Sequence, residues 1–315
     1  MLTSIKSFLA KLLQPFLTRT LRRLTANRFF RRQLFDSTLE PYLAVTTADG
    51  SSFIVSSSDQ VIGVGMFESK NAWDIDLLVK AMQTVPNSSK LGTIIDVGAN
   101  LGSISIASVN MGLFQKAFAF EPDANNFRIL RANVALNDLE DRVYVNNLAL
   151  TDQIGQDLTL ELSPTNLGDH RIRSNLPPNQ EINDLFEGVT RRTTKVSSST
   201  LDSELARLIR EGLEFPVLLF MDTQGWEGHI LKGAQNFLAQ NSQHRGALII
   251  EFWPYGLSRA GGGLQFLQHA LLQAGYRSVV DLSEPSNLLS LDLQVLESLA
   301  VRYGKNSEAT DLLIY

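Results

Sequence analysis

The chain has 315 residues, of which 44% are hydrophobic and 19% are charged. These are ordinary values for a globular protein with a buried core, and they disfavour disordered, collagen-like and disulfide-scaffold classes. The sequence has no cysteine. This excludes disulfides, thiolate nucleophiles and cysteine-ligated metal sites, and it fits a cytoplasmic location.

The net charge of −5 is distributed unevenly along the chain. Residues 1–32 carry eight lysines and arginines and no acidic side chain, which leaves 20 basic and 33 acidic residues in the rest. An acidic body argues against nucleic acid as the main partner.

Residues 1–45 are predicted to form a basic amphipathic helical arm. Six apolar side chains share one helical face, namely Leu2, Ile5, Phe8, Leu9, Leu12 and Leu13. The arm lacks the roughly 18 uninterrupted apolar residues that a spanning helix needs. Two interpretations stay open for residues 1–32: packing on the protein's own domain or on a second subunit, as a homo-oligomer, or peripheral contact with an anionic membrane surface.

The body, residues 46–315, is predicted to be one α/β domain. Short strands are expected over 45–64, and an amphipathic helix over 73–85. Apolar strands are expected over 93–97, 116–120, 143–150, 217–221 and 247–252, with helices over 101–111, 123–136, 228–240 and 264–274. Segments 276–282 and 312–315 would close the sheet. Near-continuous apolar strands alternating with helices indicate a mostly parallel sheet covered on both faces. Residues 151–200 are polar and interrupt the alternation, so they are interpreted as an insertion.

A glycine-containing turn joins the strand over 93–97 to the next helix. Gly98 and Gly102 would let a ligand approach the backbone at this strand end. The dinucleotide fingerprint begins with a glycine where this chain has Asp96. A carboxylate there would repel a pyrophosphate and would suit a ligand with a cationic group.

A second acidic residue, Glu121, ends the following strand. An acid at this place can accept hydrogen bonds from ribose hydroxyls. A nucleoside that carries a cationic amino-acid tail and no phosphate is S-adenosylmethionine. Asp96, Gly98, Gly102 and Glu121 together therefore predict an S-adenosylmethionine site.

An ordered series of motifs resembles the FkbM-type family of S-adenosylmethionine-dependent methyltransferases. The stretches are IDVGANLG at 95–102, AFEPD at 119–123, Asn133, LALTD at 148–152, TLD at 200–202, MDTQGWE at 221–227, LKGA at 231–234, IIE at 249–251 and DLLI at 311–314. They run from about residue 50 to the C-terminus and leave residues 1–45 uncovered. The chain departs from the family at Phe220, where a lysine is usual, and at Gln224, where an acid is common, which puts a lysine–carboxylate pair in doubt.

The resemblance implies a Rossmann-like class I methyltransferase fold with a seven-stranded, mostly parallel sheet whose last strand is antiparallel. It also implies O-methylation of a hydroxyl on a sugar, glycan or polyketide-like small molecule. By position, Asp96, Gly98, Asn100 and Gly102 would line the methionine end of the cofactor. Glu121 would bind its ribose, and Leu148 and Ala149 would lie near its adenine.

Four residues are candidates for a catalytic base: Asp222, Glu227, Glu251 and His170. Glu227 sits at an expected helix start, where the helix dipole favours an acid in a structural role. Asp222 and Glu251 each end an apolar strand at the edge of the sheet where ligands bind. His170 lies in the polar insertion beside Asp169 and has a side chain that titrates near neutral pH. Each also has a structural interpretation: Asp222 could orient the cofactor or its loop, Glu251 could cap a helix or pair with a cation, and His170 could be a surface residue. No close spacing of His, Asp and Glu predicts a metal site.

Two other functions remain open at this stage. One is an NAD-linked Rossmann oxidoreductase, against which Asp96 counts. The other is a non-catalytic membrane-surface or scaffold protein that keeps the fold, against which the glycines and Glu121 count.

Overall fold

The structure, a computed structural model, describes residues 14, 15, 18–20, 23, 25–86, 88–173, 191–305 and 308–315. The predicted helix over residues 2–13 lies outside this part of the chain. No helix within the described part is long and apolar enough to cross a membrane.

The first complete helix, α1, is Arg28–Ser37, and it packs against the domain that follows. Asn27 caps its start by accepting a hydrogen bond from the Phe29 backbone N–H at 2.8 Å. Phe35 is 1% exposed and its ring lies 5.6 Å from that of Phe67. Arg31 Nε donates to the backbone oxygen of Glu68 at 2.6 Å.

A hairpin of β1, Tyr42–Thr46, and β2, Ser52–Ser56, comes next. Helices α2, Ile62–Ser69, and α3, Ile75–Thr84, follow it, so the prediction of strands up to residue 64 is wrong at its end. The physical reason lies in Asp59, whose carboxylate accepts hydrogen bonds from the backbone N–H groups of Val61 and Ile62 and so starts a helix.

Eight strands form the main sheet. In chain order they are β3 Thr93–Val97, β4 Lys116–Phe120, β5 Val143–Asn146, β11 Val217–Met221, β12 Ala247–Phe252, β13 Ser278–Asp281, β14 Leu288–Ser290 and β15 Thr310–Ile314. Their spatial order is β14-β13-β15-β12-β11-β3-β4-β5, and β15 runs antiparallel to both of its neighbours. The predicted fold class is confirmed, with β14 added to the seven expected strands.

Helices cover both faces of this sheet. They are α4 Ser103–Asn110, α5 Ala124–Leu136, α6 Leu201–Arg210, α7 Glu227–Lys232, α8 Gln235–Gln243, α9 Pro254–Arg259, α10 Leu264–Ala274 and α11 Leu293–Arg302. Neighbouring strand residues face opposite cores: Ile94 and Leu218 pack on one side, and Ile95 and Leu219 on the other. Burial on both faces explains why the strands are apolar throughout.

Two predicted elements are divided in the structure. The helix expected over 228–240 is two helices that are separated at Gly233, where a Cβ would overlap the backbone oxygen of Thr151. The strand expected over 143–150 ends at Asn146, and a separate strand β6, Ala149–Leu150, pairs in parallel with β10, Ser198–Ser199.

The described part of the polar insertion contains a small antiparallel sheet. It consists of β7 Leu158–Leu162, β8 Arg171–Ile172 and β9 Arg192–Val196, with β7 in the centre. The turn between β7 and β8 brings residues 163–170 over the carboxyl edge of the main sheet, where Asn126 Nδ2 donates to the Leu167 backbone oxygen at 2.9 Å. The insertion thus supplies a wall of the site.

Candidate active site

A pocket of about 560 Å³, counted to its open mouth, lies at the carboxyl ends of β3, β4 and β11. Seven residues singled out from the sequence line it, namely Gly98, Asn100, Glu121, Leu148, Ala149, His170 and Asp222. We call it the cofactor pocket.

Gly98 fixes the spacing between the turn after β3 and the end of β11. Its φ is +86°, and a Cβ at this position would overlap the backbone oxygen of Asp222. Only glycine combines this backbone conformation with so close an approach. Gly98 therefore lets the turn that lines the cofactor pocket lie against Asp222, the predicted catalytic residue.

Asn100 connects the same turn to Glu121. Its backbone N–H donates to Glu121 Oε2 at 2.9 Å, and its φ of +50° is tolerated by asparagine better than by most residues. The buried Asn100 Nδ2 has no hydrogen-bond partner among the described residues. It is a donor that a ligand in the pocket can satisfy.

Glu121 is held by two backbone groups. Asp123 N–H donates to Oε1 at 2.7 Å, and Asn100 N–H donates to Oε2. Burial raises the pKa of Glu121 to about 8, against the pull of these two hydrogen bonds. Each carboxylate oxygen can accept a second hydrogen bond, so the side chain can receive two hydroxyls of a ribose.

Asp96 and Gly102, predicted at the methionine end of the cofactor, are not among the residues that line the pocket. Asp96 Oδ2 accepts hydrogen bonds from Ser105 Oγ at 2.5 Å and Ser105 N–H at 3.2 Å, and burial raises its pKa to about 6. Gly102 has a φ of +89° and packs under Leu130 and Ile106. Both residues hold the turn that carries Gly98 and Asn100.

His170 lies in the pocket wall that the insertion supplies. Ser163 N–H donates to His170 Nδ1 at 3.1 Å, which places the imidazole proton of the neutral ring on Nε2. Burial lowers the pKa of His170. The neutral ring can donate a hydrogen bond from Nε2. To act as a base it would have to use Nδ1, and so lose the hydrogen bond that Ser163 N–H donates to that atom.

A second pocket of about 660 Å³ adjoins the first and shares Gly168 and Asp222 with it. Its wall also contains Trp73, Asp74, Gln224, Glu251 and Asp311. We call it the acidic pocket. Asp222 stands where the two pockets meet.

Three side chains form a hydrogen-bonded group at the floor of the acidic pocket. Gln224 Nε2 donates to Asp222 Oδ1 at 2.8 Å and to Glu251 Oε1 at 3.1 Å. Burial raises the pKa of both acids, and the charge of Asp222 raises that of Glu251 further. Gln224 occupies the place where the resemblance leads one to expect an acid, and it bridges the two carboxylates without adding charge.

Three more acids lie near this group. Burial and neighbouring carboxylates raise the pKa of Asp74 to about 7, of Glu227 to about 7 and of Asp311 to about 8. Glu227 starts α7 and accepts hydrogen bonds from Thr223 N–H and Oγ1 at 2.8 and 2.7 Å. Within the described ranges no three His, Cys, Asp or Glu side chains are placed to hold a metal ion.

Sequence reasoning missed Asp74 and Asp311 as site residues. Asp74 precedes a helix, where an acid is normally read as a cap, yet its side chain makes no capping hydrogen bond. Asp311 lies directly across from Glu251 in the antiparallel pair of β12 and β15. Pairing the strand that contains Glu251 with the C-terminal strand, in this register, would have predicted that the two acids lie together.

The mostly parallel sheet with its antiparallel strand β15, and a pocket at its carboxyl edge, match the class I methyltransferase fold that the resemblance implies. The family model for the FkbM methyltransferase domain matches residues 96–278. The chain therefore belongs to the FkbM methyltransferase family. Membership confirms the predicted methyltransferase class and its cofactor, S-adenosylmethionine, and it excludes the NAD-linked alternative.

The chain is similar to the methyltransferase sdnD of Sordaria araneosa. The two are 33% identical over 159 residues, which is 44% of this chain and 59% of the relative, so the match spans about three fifths of that protein's length.

Two solved structures resemble the fold distantly. The methyltransferase FkbM of Methylobacillus flagellatus is 14% identical with a TM-score of 0.40, over 80% of this chain and 54% of its own. The tRNA (uracil-54, C5)-methyltransferase of Pyrococcus abyssi, in complex with S-adenosyl-L-homocysteine, is 10% identical with a TM-score of 0.40, over 87% and 44%. Likenesses this distant say nothing about the substrate of the present chain.

Proposed function

We propose that the protein methylates a hydroxyl group of a sugar, glycan or polyketide-like small molecule. One observation carries the proposal: the cofactor pocket and the acidic pocket meet at Asp222. A methyltransferase needs two adjoining sites so that donor and acceptor can be held in line.

S-adenosylmethionine, when bound, supplies an activated methyl carbon. In the cofactor pocket we assign Glu121 to the ribose hydroxyls, Leu148 and Ala149 to the adenine, and Asn100 Nδ2 to a polar group of the methionine end. His170 Nε2 is assigned as a further donor in the same pocket. Asp96 and Gly102 support the turn from behind.

Asp222 is the proposed general base, with Glu251 beside it. A base is most effective when its pKa lies near the working pH, and burial moves the pKa of both carboxyls in that direction. Gln224 holds the two side chains in one orientation. Asp222 would accept the hydroxyl proton, and Glu251 would lie beside it through the hydrogen-bond donor Gln224 that both carboxyls share.

The test is methyl transfer from radiolabelled S-adenosylmethionine to a panel of hydroxyl compounds, with S-adenosylhomocysteine binding measured separately by calorimetry. The proposal expects binding of S-adenosylhomocysteine and transfer to at least one sugar or polyketide hydroxyl. Transfer only to carbon or nitrogen atoms would overturn it.

We propose a peripheral membrane contact for the N-terminal region. The exposed side of α1 and the residues after it include Phe29 at 65% exposed, Leu39 at 99%, and Phe30, Leu34 and Tyr42. Apolar side chains next to a basic arm are typical of membrane-surface segments. A Phe29→Ser, Leu34→Ser variant should lose sedimentation with phosphatidylserine vesicles. Unchanged sedimentation would contradict the membrane contact. A fall in the oligomer size of this variant, measured by light scattering, would instead favour packing of the N-terminal region on a second subunit.

A further inference from the structure

The acidic pocket has walls of one charge. Asp74, Asp222, Glu251 and Asp311 line it, and no lysine, arginine or histidine of the described residues does. The four acids come from separate segments: the start of α3, the ends of β11 and β12, and the start of β15. Glu251 and Asp311 are direct cross-strand partners, an arrangement that destabilises a sheet when both carry the same charge.

Unpaired hydrogen-bond acceptors accompany this charge. Glu251 Oε2 is buried and has no hydrogen-bond partner among the described residues. Glu227 Oε2 is likewise buried without a described partner, but Glu227 does not line the acidic pocket, so Glu251 Oε2 is the oxygen that a ligand there can reach. Buried acceptors of this kind are costly unless a donor reaches them, so they indicate a ligand with N–H donors.

Three of the four acids lie outside the cofactor pocket. Of the four acids, only Asp222 also lines the cofactor pocket. Asp74, Glu251 and Asp311 belong to the acidic pocket alone. A molecule that fills the acidic pocket can therefore bring a cation to these three acids.

We propose that the acceptor carries a protonated amine close to the hydroxyl that is methylated, as in an amino sugar or an amino alcohol. This rests on the proposed function, because it takes the acidic pocket to be the acceptor site. An ammonium group offers three donors and no acceptor, which matches the unpaired Glu251 Oε2. Trp73, in the same wall, offers an aromatic surface that attracts a cation or packs on a sugar ring.

The test uses the full chain saturated with S-adenosylhomocysteine and titrated at pH 7 with D-glucosamine, D-glucose and N-acetyl-D-glucosamine. We expect D-glucosamine to bind at least about tenfold more tightly than the other two, a difference of about 1.4 kcal/mol. We also expect it to release protons, visible as different heats in buffers of different ionisation enthalpy.

Matched variants separate a role of the pocket from general charge. Asp311→Asn and, as a second position, Asp74→Asn should each weaken D-glucosamine binding at least about fivefold and leave D-glucose binding unchanged. Asp141→Asn, at an exposed acid outside both pockets, should change neither.

Several results would overturn the inference. They are equal affinity for the three sugars, no binding of D-glucosamine, or a transfer reaction that EDTA abolishes and Mg²⁺ restores. An Asp311→Asn variant that loses affinity for S-adenosylmethionine but not for S-adenosylhomocysteine would show that the acids serve the sulfonium. Failure to bind S-adenosylhomocysteine at all would instead contradict the proposed function.

Discussion

The two adjoining pockets are built in different ways. The polar groups assigned to the cofactor come mainly from two consecutive strand ends: Gly98 and Asn100 follow β3, Glu121 follows β4, and Asn100 N–H donates to Glu121 Oε2. The acidic pocket takes its four acids one each from four segments that are far apart in the chain. A short sequence motif encodes the polar contacts of the cofactor pocket, whereas the acidic pocket exists only once the strands of the sheet have paired. Binding of the cofactor fits the locally encoded pocket, and selection of the acceptor fits the pocket that is assembled from distant segments.

The largest expected effect concerns the residue that both pockets share. We predict that Asp222→Asn lowers turnover by about 100-fold or more, since the loss of a general base commonly removes a factor of 10²–10⁴. Affinity for S-adenosylhomocysteine should stay within about threefold of the wild type. Steady-state kinetics and calorimetry measure the two quantities, and equal losses in both would contradict a catalytic role.

The second prediction tests the close approach of Gly98 to the backbone of Asp222, the residue that lines both pockets. Gly98→Ala should destabilise the protein by about 2 kcal/mol more than Gly112→Ala. Both glycines have a positive φ, but only at Gly98 would the added Cβ overlap Asp222, whereas nothing lies within 4 Å at Gly112. Chemical denaturation gives the free energies of unfolding. Equal losses would show that the approach of Gly98 to Asp222 adds no constraint.

The third prediction belongs to the cofactor pocket. Glu121→Gln should weaken binding of S-adenosylhomocysteine about tenfold, because an amide replaces one of the two acceptor oxygens proposed for the ribose. The shape of the side chain is kept, so 2′-deoxy and 3′-deoxy analogues should lose less affinity in the variant than in the wild type. Equal losses for the analogues in both proteins would argue against a ribose contact.

The smallest expected effect is on the free energy of unfolding of the ligand-free protein, through Asp311 in the acidic pocket. Asp311 has a pKa of about 8 in the folded protein and an ordinary value of 3.8, raised by burial and by Asp222, Asp74, Asp281 and Glu227. An acid with a raised folded pKa lowers stability increasingly as the pH rises from about 4 to 8. Asp311→Asn should therefore raise the free energy of unfolding by about 1 kcal/mol at pH 8 and by less at pH 5. A gain that does not depend on pH would contradict this.

The contrast between the pockets also explains what the sequence could predict. Apolar strands, the Asp123 helix cap and the turn at Gly98 are encoded within a few residues, and the structure has each of them. Helix starts set by one side chain, as at Asp59, were missed because the same residues also fit a strand. Asp74 and Asp311 were missed because their partners lie far away in the chain, and only strand register brings Asp311 opposite Glu251. His170 was recognised as a candidate, but its tautomer depends on a backbone contact with Ser163 that no pattern reveals.

A structure of the protein with S-adenosylhomocysteine bound tests the central claim most directly. The account predicts the adenosyl group in the cofactor pocket, with its ribose on Glu121 and its sulfur facing Asp222, and the acidic pocket left open for an acceptor. S-adenosylhomocysteine lying in the acidic pocket, or its sulfur pointing away from Asp222, would contradict it.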